Sequence, residues 1–442
     1  MTKPVVAVVG RPNVGKSTLF NKIAGSRISI VEDTPGVTRD RIFSDCEWIG
    51  HNFTLIDTGG IEPYSKDIIL SQMRRQAQLA IDTADVILLI VDGRVGMTST
   101  DLEVANMIRK TKTPVLLVIN KIETKELEKN IFEFYNLGIG DPIPISAEQG
   151  LGLGDLLDKV IDLFENSKFS IEEDERLKIT VLGKPNAGKS TLVNRLLGEE
   201  RVIVSNIPGT TRDAIDSEFK YYGEEYVLID TAGLRRKNKI YDDIERYSIV
   251  RAVTAVERGD VCLIMIDAET GVSEQDTKIA GIAHNRGKAS IIVVNKWDLI
   301  KKDNSSIKTF EKDIRNKLGF MNYAPIIFIS ALEGQRVNKI MEMVKYVSGE
   351  HCKRITTGLL NELISESVLI NQPPSDKGRR LKIYYVTQPT IKPPTFIIFV
   401  NDKNILHFSY VRYLENQIRN SFGFTGTPIK FIVREKAEKD WK

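Results

Sequence analysis

The sequence predicts two tandem doubly wound α/β domains followed by a small α+β domain, and three observations carry that reading. The stretch GRPNVGKST, Gly10 to Thr18, returns as GKPNAGKST, Gly183 to Thr191, changed only where Arg11 becomes Lys184 and Val14 becomes Ala187. In both copies short, nearly continuous apolar runs alternate with helical patterns, as in a parallel sheet covered on both faces. Past Glu350 the alternation gives way to an α-β-β-α-β order, which is that of a small α+β domain.

The strands of the first copy are VVAVV, FTLID, VILLIVD, PVLLVIN and IPIS, and those of the second are KITVL, YVLID, VCLIMID, SIIVVN and PIIFIS. At one common offset Gly10 falls on Gly183, Lys16 on Lys189, Thr38 on Thr211 and Asp57 on Asp230, which is duplication of a whole domain. The domains are therefore placed at 3–166 and 177–350. An acidic linker at 167–176, within ENSKFSIEEDERL, joins them. In the remaining part, 351–442, a helical TTGLLNELISESV leads to a Pro-rich turn, QPPSDKGRR. Strands LKIYYVTQ and TFIIFVN follow, then a helix from Ser409 to Ser421 and a last strand, PIKFIVRE.

At 442 residues and 42% hydrophobic the chain is too long for one core and apolar enough for several. No apolar run approaches the ~20 residues that cross a bilayer, and MTKPVVAVVG lacks the features of a secretory signal. No membrane span is expected. Cys46, Cys262 and Cys352 form neither a disulfide framework nor a metal site, which fits a reducing, cytoplasmic setting and small core residues. The net charge is +3, but from His351 onward fifteen Lys and Arg face eight Asp and Glu. That bias suggests a polyanionic partner for the tail, the plain alternative being a solvated surface.

The repeated loop fits G-x-x-x-x-G-K-[ST] and lies between a strand and a helix in both copies, the context that makes it a phosphate cradle. Its residues are Gly10, Arg11, Pro12, Asn13, Val14, Gly15, Lys16, Ser17 and Thr18, and then Gly183, Lys184, Pro185, Asn186, Ala187, Gly188, Lys189, Ser190 and Thr191. Glycines let the backbone approach the phosphates, and amide N–H groups at a helix N-terminus supply positive potential. Lys16 and Lys189 would hold the β- and γ-phosphates, with Ser17 and Ser190 on Mg²⁺. DTGG (Asp57, Thr58, Gly59, Gly60) and DTAG (Asp230, Thr231, Ala232, Gly233) close the strands behind these loops. There Asp57 and Asp230 can hold Mg²⁺ through water, and a Gly amide can meet the γ-phosphate.

The base is read by NKWD, with Asn295, Lys296 and Asp298. A carboxylate that accepts from two guanine N–H groups makes a charge-assisted bidentate contact that adenine cannot match, so GTP is selected over ATP. Lys296 would cover the ring and Asn295 brace the loop. The first copy reads NKIE, with Asn120, Lys121 and Glu123. Glu keeps the charge but adds a methylene, which predicts retained guanine preference with weaker or altered affinity; a domain decayed to a structural role is the alternative. SAEQG and SALEG add Ser146 and Ala147, and Ser330 and Ala331, as a last loop against the base.

Two G domains in tandem, PNxGKST loops, TPGVTRD (Thr34 to Asp40) and IPGTTRD (Ile207 to Asp213), and a small α+β tail resemble the Der family, also called EngA, of bacterial double GTPases. The resemblance covers nearly the whole chain. It implies a KH-like C-terminal domain, GTP hydrolysis with Mg²⁺, and action on the large ribosomal subunit and its rRNA during maturation. By matched position Thr38 and Thr211 are the switch threonines that close on Mg²⁺ and, with Lys16 and Lys189, carry the catalytic roles. Glu123 departs from the family's usual Asp.

Many GTPases orient water with a Gln just after D-x-x-G. Here Ile61 and Leu234 stand in that place, so slow intrinsic turnover is expected. In related GTPases of this kind a P-loop Asn helps hold an activating K⁺, and Asn13 and Asn186 match it. Arg39 and Arg212 read better as partners of the adjacent Asp than as phosphate ligands. GFTG, Gly423 to Gly426, has the G-x-x-G of an RNA-clamping KH loop, but Pro428 and a strand follow where such a loop would open a helix. It reads as a helix cap and turn. RNA contact then rests on Arg379, Arg380, Lys382 and Arg434, and Tyr384 with Tyr385 reads as core and rim.

The leading reading is a GTPase switch for ribosome assembly, acting as a monomer without DNA. The alternative is a nucleotide-gated RNA-binding scaffold in which hydrolysis is incidental. A tRNA-modifying GTPase would need a further cofactor domain, and a small-molecule kinase a second substrate pocket; no segment offers either.

Overall fold

The structure is a computed structural model and describes residues 3–25, 43–60, 69–124, 126–166, 176–198, 202–204, 216–229, 245–300, 306–376 and 379–435. They fall into two compact units, one of 1–175 with 238–257 and one of 176–237 with 258–442. The linker expected at 167–176 lies outside the described residues except for Arg176.

In the first unit the strands are β1 (Val5–Val9), β2 (Phe43–Trp48), β3 (His51–Asp57), β4 (Val86–Asp92), β5 (Val115–Asn120) and β6 (Ile143–Pro144), ordered β2-β3-β1-β4-β5-β6. All neighbours are parallel except the β2–β3 pair. Because successive strand residues face opposite ways, each strand feeds two cores. Val6, Val8, Leu88 and Ile90 pack under Leu19, Phe20 and Ile23 of helix Lys16–Gly25 and under Leu156 and Val160 of helix Leu153–Asn166. Ala7, Val9, Ile87 and Leu89 pack under Met73 and Ala77 of helix Ile69–Thr83 and under Val104 and Ile108 of helix Ser99–Ile108. Burial on both faces is why these strands read as unbroken apolar runs.

In the second unit the G-domain strands are β7 (Leu177–Leu182), β8 (Val202–Val204), β9 (Ser217–Tyr221), β10 (Glu224–Ile229), β11 (Val261–Asp267), β12 (Ala289–Asn295) and β13 (Ile326–Phe328). Their order, β13-β12-β11-β7-β10-β9-β8, repeats the first sheet and adds β8 at one edge. Leu192 and Leu196 of helix Lys189–Leu197 and Ile340 and Val344 of helix Asn338–His351 cover one face.

The C-terminal part keeps the α-β-β-α-β order the sequence predicts. Helices Thr357–Ile370 and Phe408–Phe422 cover a three-stranded sheet of β16 (Ile383–Thr390), β17 (Thr395–Val400) and β18 (Lys430–Glu435), with β16 antiparallel and β18 parallel to the central β17. A short pair, β14 (Ser375–Asp376) with β15 (Arg379–Arg380), precedes it. Leu360, Ile364, Leu414 and Ile418 from the helices meet Val386, Phe396 and Ile398 from the sheet. GFTG is a helix cap and turn, as expected: Gly423 ends the helix, its N–H donating to Arg419 O at 2.8 Å, and Arg419 returns Nη1 to Phe424 O at 2.9 Å. The turn is seated on the second G domain, with Ser290 N–H donating to Gly426 O at 2.7 Å and Gly426 N–H to Tyr323 O at 2.8 Å. Tyr385 stacks on Phe399 at 4.3 Å, and Arg379, Arg380, Lys382 and Arg434 are exposed. Cys46 and Cys262 are core residues, whereas Cys352 is only half-buried, because it follows the last turn of helix Asn338–His351.

Two histidines, His351 buried and His284 half-buried, lie near this turn. Burial, reinforced by Lys288 and Lys392, pushes His351 down to about 3, and its Nδ1 lies 2.5 Å from Thr427 Oγ1. Burial and then Arg419 push His284 down to about 4. A base with a depressed folded pKa gives its full stability above the unfolded pKa of about 6.5 and loses it as pH falls towards the folded value. At pH 5 His351 alone should therefore cost about 2 kcal/mol relative to pH 7. Chemical denaturation at the two pH values should show a smaller loss for His351→Gln than for the parent chain; equal losses would contradict this account.

Candidate functional site

Each cradle forms where a central parallel strand turns into a helix. β1 runs into Gly10 to Gly15 and helix Lys16–Gly25, and β7 runs into Gly183 to Gly188 and helix Lys189–Leu197. Lys16 is buried and donates from Nζ to Gly10 O and Arg11 O, both at 2.8 Å. Lys189 donates to Gly183 O at 2.7 Å and Lys184 O at 2.8 Å. Gly15 and Gly188 both sit at φ 94°, where a side chain is strained, and a Cβ at either would collide with the Asn120 or Asn295 amide. Asn13 and Asn186 take the left-handed region at φ 65° and 63°. Val14 and Ala187 are buried beneath the loops.

The two asparagines expected to brace the base loop do more. Asn120 donates from Nδ2 to Val14 O at 2.8 Å and accepts Ala147 N–H on Oδ1 at 2.9 Å. Asn295 repeats this with Ala187 O and Ala331 N–H, both at 2.9 Å. Ser146 and Ser330 are buried, and their Oγ atoms accept Gln149 N–H and Glu333 N–H at 3.3 and 3.2 Å, fixing the last loop.

Lys121 and Lys296, at φ 71° and 61°, are held by Asp92 and Asp267 at the ends of β4 and β11, each at 2.6 Å. Burial raises the Asp92 carboxyl, but the hydrogen bonds from Lys121 and from Arg94 N–H outweigh it and leave Asp92 ionised below its usual range. Sequence reasoning did not assign these carboxylates, although both strands visibly end in Asp. It also missed Asp101 and Asp276. Each forms a capping box with Thr98 or Ser273 and lies 3.5 Å from Arg11 or Lys184 of the phosphate loop. The T-x-x-D and S-x-x-D spacing was the available signal.

Of the residues expected to hold a divalent cation in the first domain, Ser17 and Asp57 lie in contact. Ser17 Oγ donates to Asp57 Oδ2 at 2.8 Å, and Asp57 Oδ1 accepts Gly59 N–H at 2.8 Å. Thr58 donates to Val8 O at 2.5 Å, which pins the end of β3 beside β1. A hydroxyl and a carboxylate in contact at the head of a phosphate loop suit Mg²⁺. Ser190 is the second residue of helix Lys189–Leu197, as Ser17 is of helix Lys16–Gly25. Thr38, Thr211, Asp230, Thr231, Ala232 and Gly233, with Ile61, Leu234, Arg39 and Arg212, lie outside the described residues.

The two carboxylates expected to read the base differ in their surroundings. Among the described residues Asp298 Oδ1 is buried with no hydrogen-bond partner, an acceptor suited to a ligand N–H. Glu123 is instead paired with Arg94.

The chain is similar to known proteins along its whole length. A family model described as "50S ribosome-binding GTPase" matches residues 5–121 and 178–296, and one described as "KH-domain-like of EngA bacterial GTPase enzymes, C-terminal" matches 354–434. The chain is 62% identical to a protein named GTPase Der from Alkaliphilus oremlandii over 440 residues, covering 100% of both chains. It is 62% identical over 441 residues to GTPase Der of Agathobacter rectalis, with the same coverage. To GTPase Der of Clostridium perfringens strain SM101 it is 60% identical over 438 residues, covering 99% of this chain and 100% of that one.

Proposed function

The chain belongs to the Der (EngA) family of GTPases, and from that premise we propose that it is a cytoplasmic, monomeric nucleotide switch acting in assembly of the large ribosomal subunit. It is a GTPase of a ribosome-binding family whose members bind GTP and GDP. The observation that best supports guanine at the second site is Asp298 Oδ1, buried and unpartnered among the described residues, beside a loop already braced by Asn295. Domain boundaries at 3–166, 177–350 and 351–442 are part of the same reading.

In the first domain Ser17 and Asp57 would hold Mg²⁺, with Thr38 joining them; Ser190, Asp230 and Thr211 are their proposed counterparts. When bound, the ion neutralises charge on the phosphates. The chain's own contribution is electrostatic and positional. Lys16 and Lys189 keep an ammonium group in the concavity of each loop, and the following helix N-terminus adds positive potential. Asn120 and Asn295 hold the base loop at a fixed distance from the phosphate loop. The exposed Arg379, Arg380, Lys382 and Arg434 support phosphate contacts with rRNA that carry little sequence choice.

With Ile61 and Leu234 after the D-x-x-G motifs, water orientation falls to other groups, and Asn13 and Asn186 are proposed to help hold an activating K⁺. Turnover should be faster in K⁺ than in Na⁺ at equal ionic strength; equal rates would remove the potassium proposal. The partner is tested by co-sedimentation with separated ribosomal subunits, the chain being loaded with GDP or a non-hydrolysable GTP analogue. Binding to the large subunit that depends on the analogue is expected. No binding in either state at low salt would overturn the ribosomal reading.

A further inference from the structure

Among the described residues the two loops proposed to read the base differ in one ion pair. In the first domain Arg94, in the turn after β4, donates from Nη2 to Glu123 Oε2. The Arg94 side chain is 52% exposed and that of Glu123 16%. The turn is fixed, because Arg94 N–H donates to Asp92 Oδ1 at 3.0 Å while Asp92 Oδ2 receives Lys121 at 2.6 Å. The second domain repeats that scaffold: Glu269 N–H donates to Asp267 Oδ1 at 2.9 Å, and Lys296 reaches Asp267 Oδ2 at 2.6 Å. The backbone positions match and the charge is reversed. Glu269 cannot pair with Asp298, whose Oδ1 is left as a buried acceptor.

From this contrast we infer that the first site reads a 6-oxopurine ring through one donor rather than two. It takes inosine nucleotides nearly as well as guanosine nucleotides, while the second site is strict for guanine. The inference rests on nucleotide binding at the first site. Guanine offers its ring N1–H and its exocyclic amine side by side, and a bidentate carboxylate needs both oxygens to meet them. Hypoxanthine offers only the ring N–H. In Glu123 the Arg94 guanidinium engages Oε2, leaving Oε1 for the ring, so the exocyclic amine adds little. Adenine has no N–H at that ring position and is rejected by both sites. At the second site an amine bonded to a charged acceptor should be worth roughly ten- to a hundredfold in affinity. Arg94 thus acts as a specificity-determining residue through Glu123.

The test uses the full chain with Lys189→Ala to read the first site and with Lys16→Ala to read the second. GDP and IDP compete against fluorescent GDP in the presence of Mg²⁺. The expected result is a GDP preference within about threefold at the first site and at least about tenfold at the second. Adding Arg94→Ala, or Arg94→Gln, which keeps a hydrogen-bonding stem, to the Lys189→Ala chain should raise the first-site preference several-fold. A first-site preference as steep as the second, or one unchanged by both Arg94 variants, overturns the inference alone. A Lys189→Ala chain that binds neither nucleotide overturns nucleotide binding at the first site, and the inference with it.

Discussion

In each G domain one side-chain amide ties the phosphate loop to the loop after the last strand, and the rest of the site is arranged around that tie. Asn120 and Asn295 are buried and use both ends of the amide, donating to a phosphate-loop carbonyl and accepting a backbone N–H of the SA loop. No other side chain of that size is neutral and offers a donor and an acceptor in one plane. A buried Asp would lose the donor and carry a charge, and Ala would leave two backbone groups without partners. Gly15 and Gly188 follow from the same tie, since the amide occupies the space a Cβ would need.

The fold delivers the asparagine to that point. β1 and β7 lie at the centre of their sheets, with β3 and β10 on one side and β4 and β11 on the other. In doubly wound sheets the crevice beyond the strand carboxyl ends, at such a reversal of order, is where ligands bind. The phosphate loop, Asp57, Asp92 and Asn120 are each at or just beyond the end of a neighbouring parallel strand in the first sheet. The groups therefore converge without any long-range coincidence. The apolar faces of β1, β4 and β5 make the sheet rigid enough to hold them.

Much of this was legible in the sequence, and the exceptions have physical reasons. Strand runs such as VILLIVD announce themselves because both faces are buried, and GRPNVGKST and NKWD announce themselves because few other residues satisfy their geometry. The pairing of Lys121 with Asp92 was not foreseen, since Asp at a strand end is common and only the sheet register brings β4 beside β5. The sequence presents Glu123 as a guanine acceptor with an added methylene; its partner Arg94 comes from a different turn, and no local spacing signals that contact. GFTG illustrates the converse. Pro428 and the strand behind it excluded an RNA clamp, but the seat the turn occupies on Ser290 and Tyr323 depends on tertiary contacts the sequence does not spell out.

The two copies are thus close duplicates in backbone and differ in charge at the loops proposed to read the base. Shared ties make a shared cradle, and the most direct test of that claim removes one tie at a time. GDP binding to the full chain should be measured by calorimetry, resolving both sites, for the parent and for Asn120→Ala and Asn295→Ala. Each substitution leaves two buried backbone groups unpaired and should weaken the altered site by about ten- to a hundredfold while sparing the other. Unchanged affinity at the altered site would contradict the account.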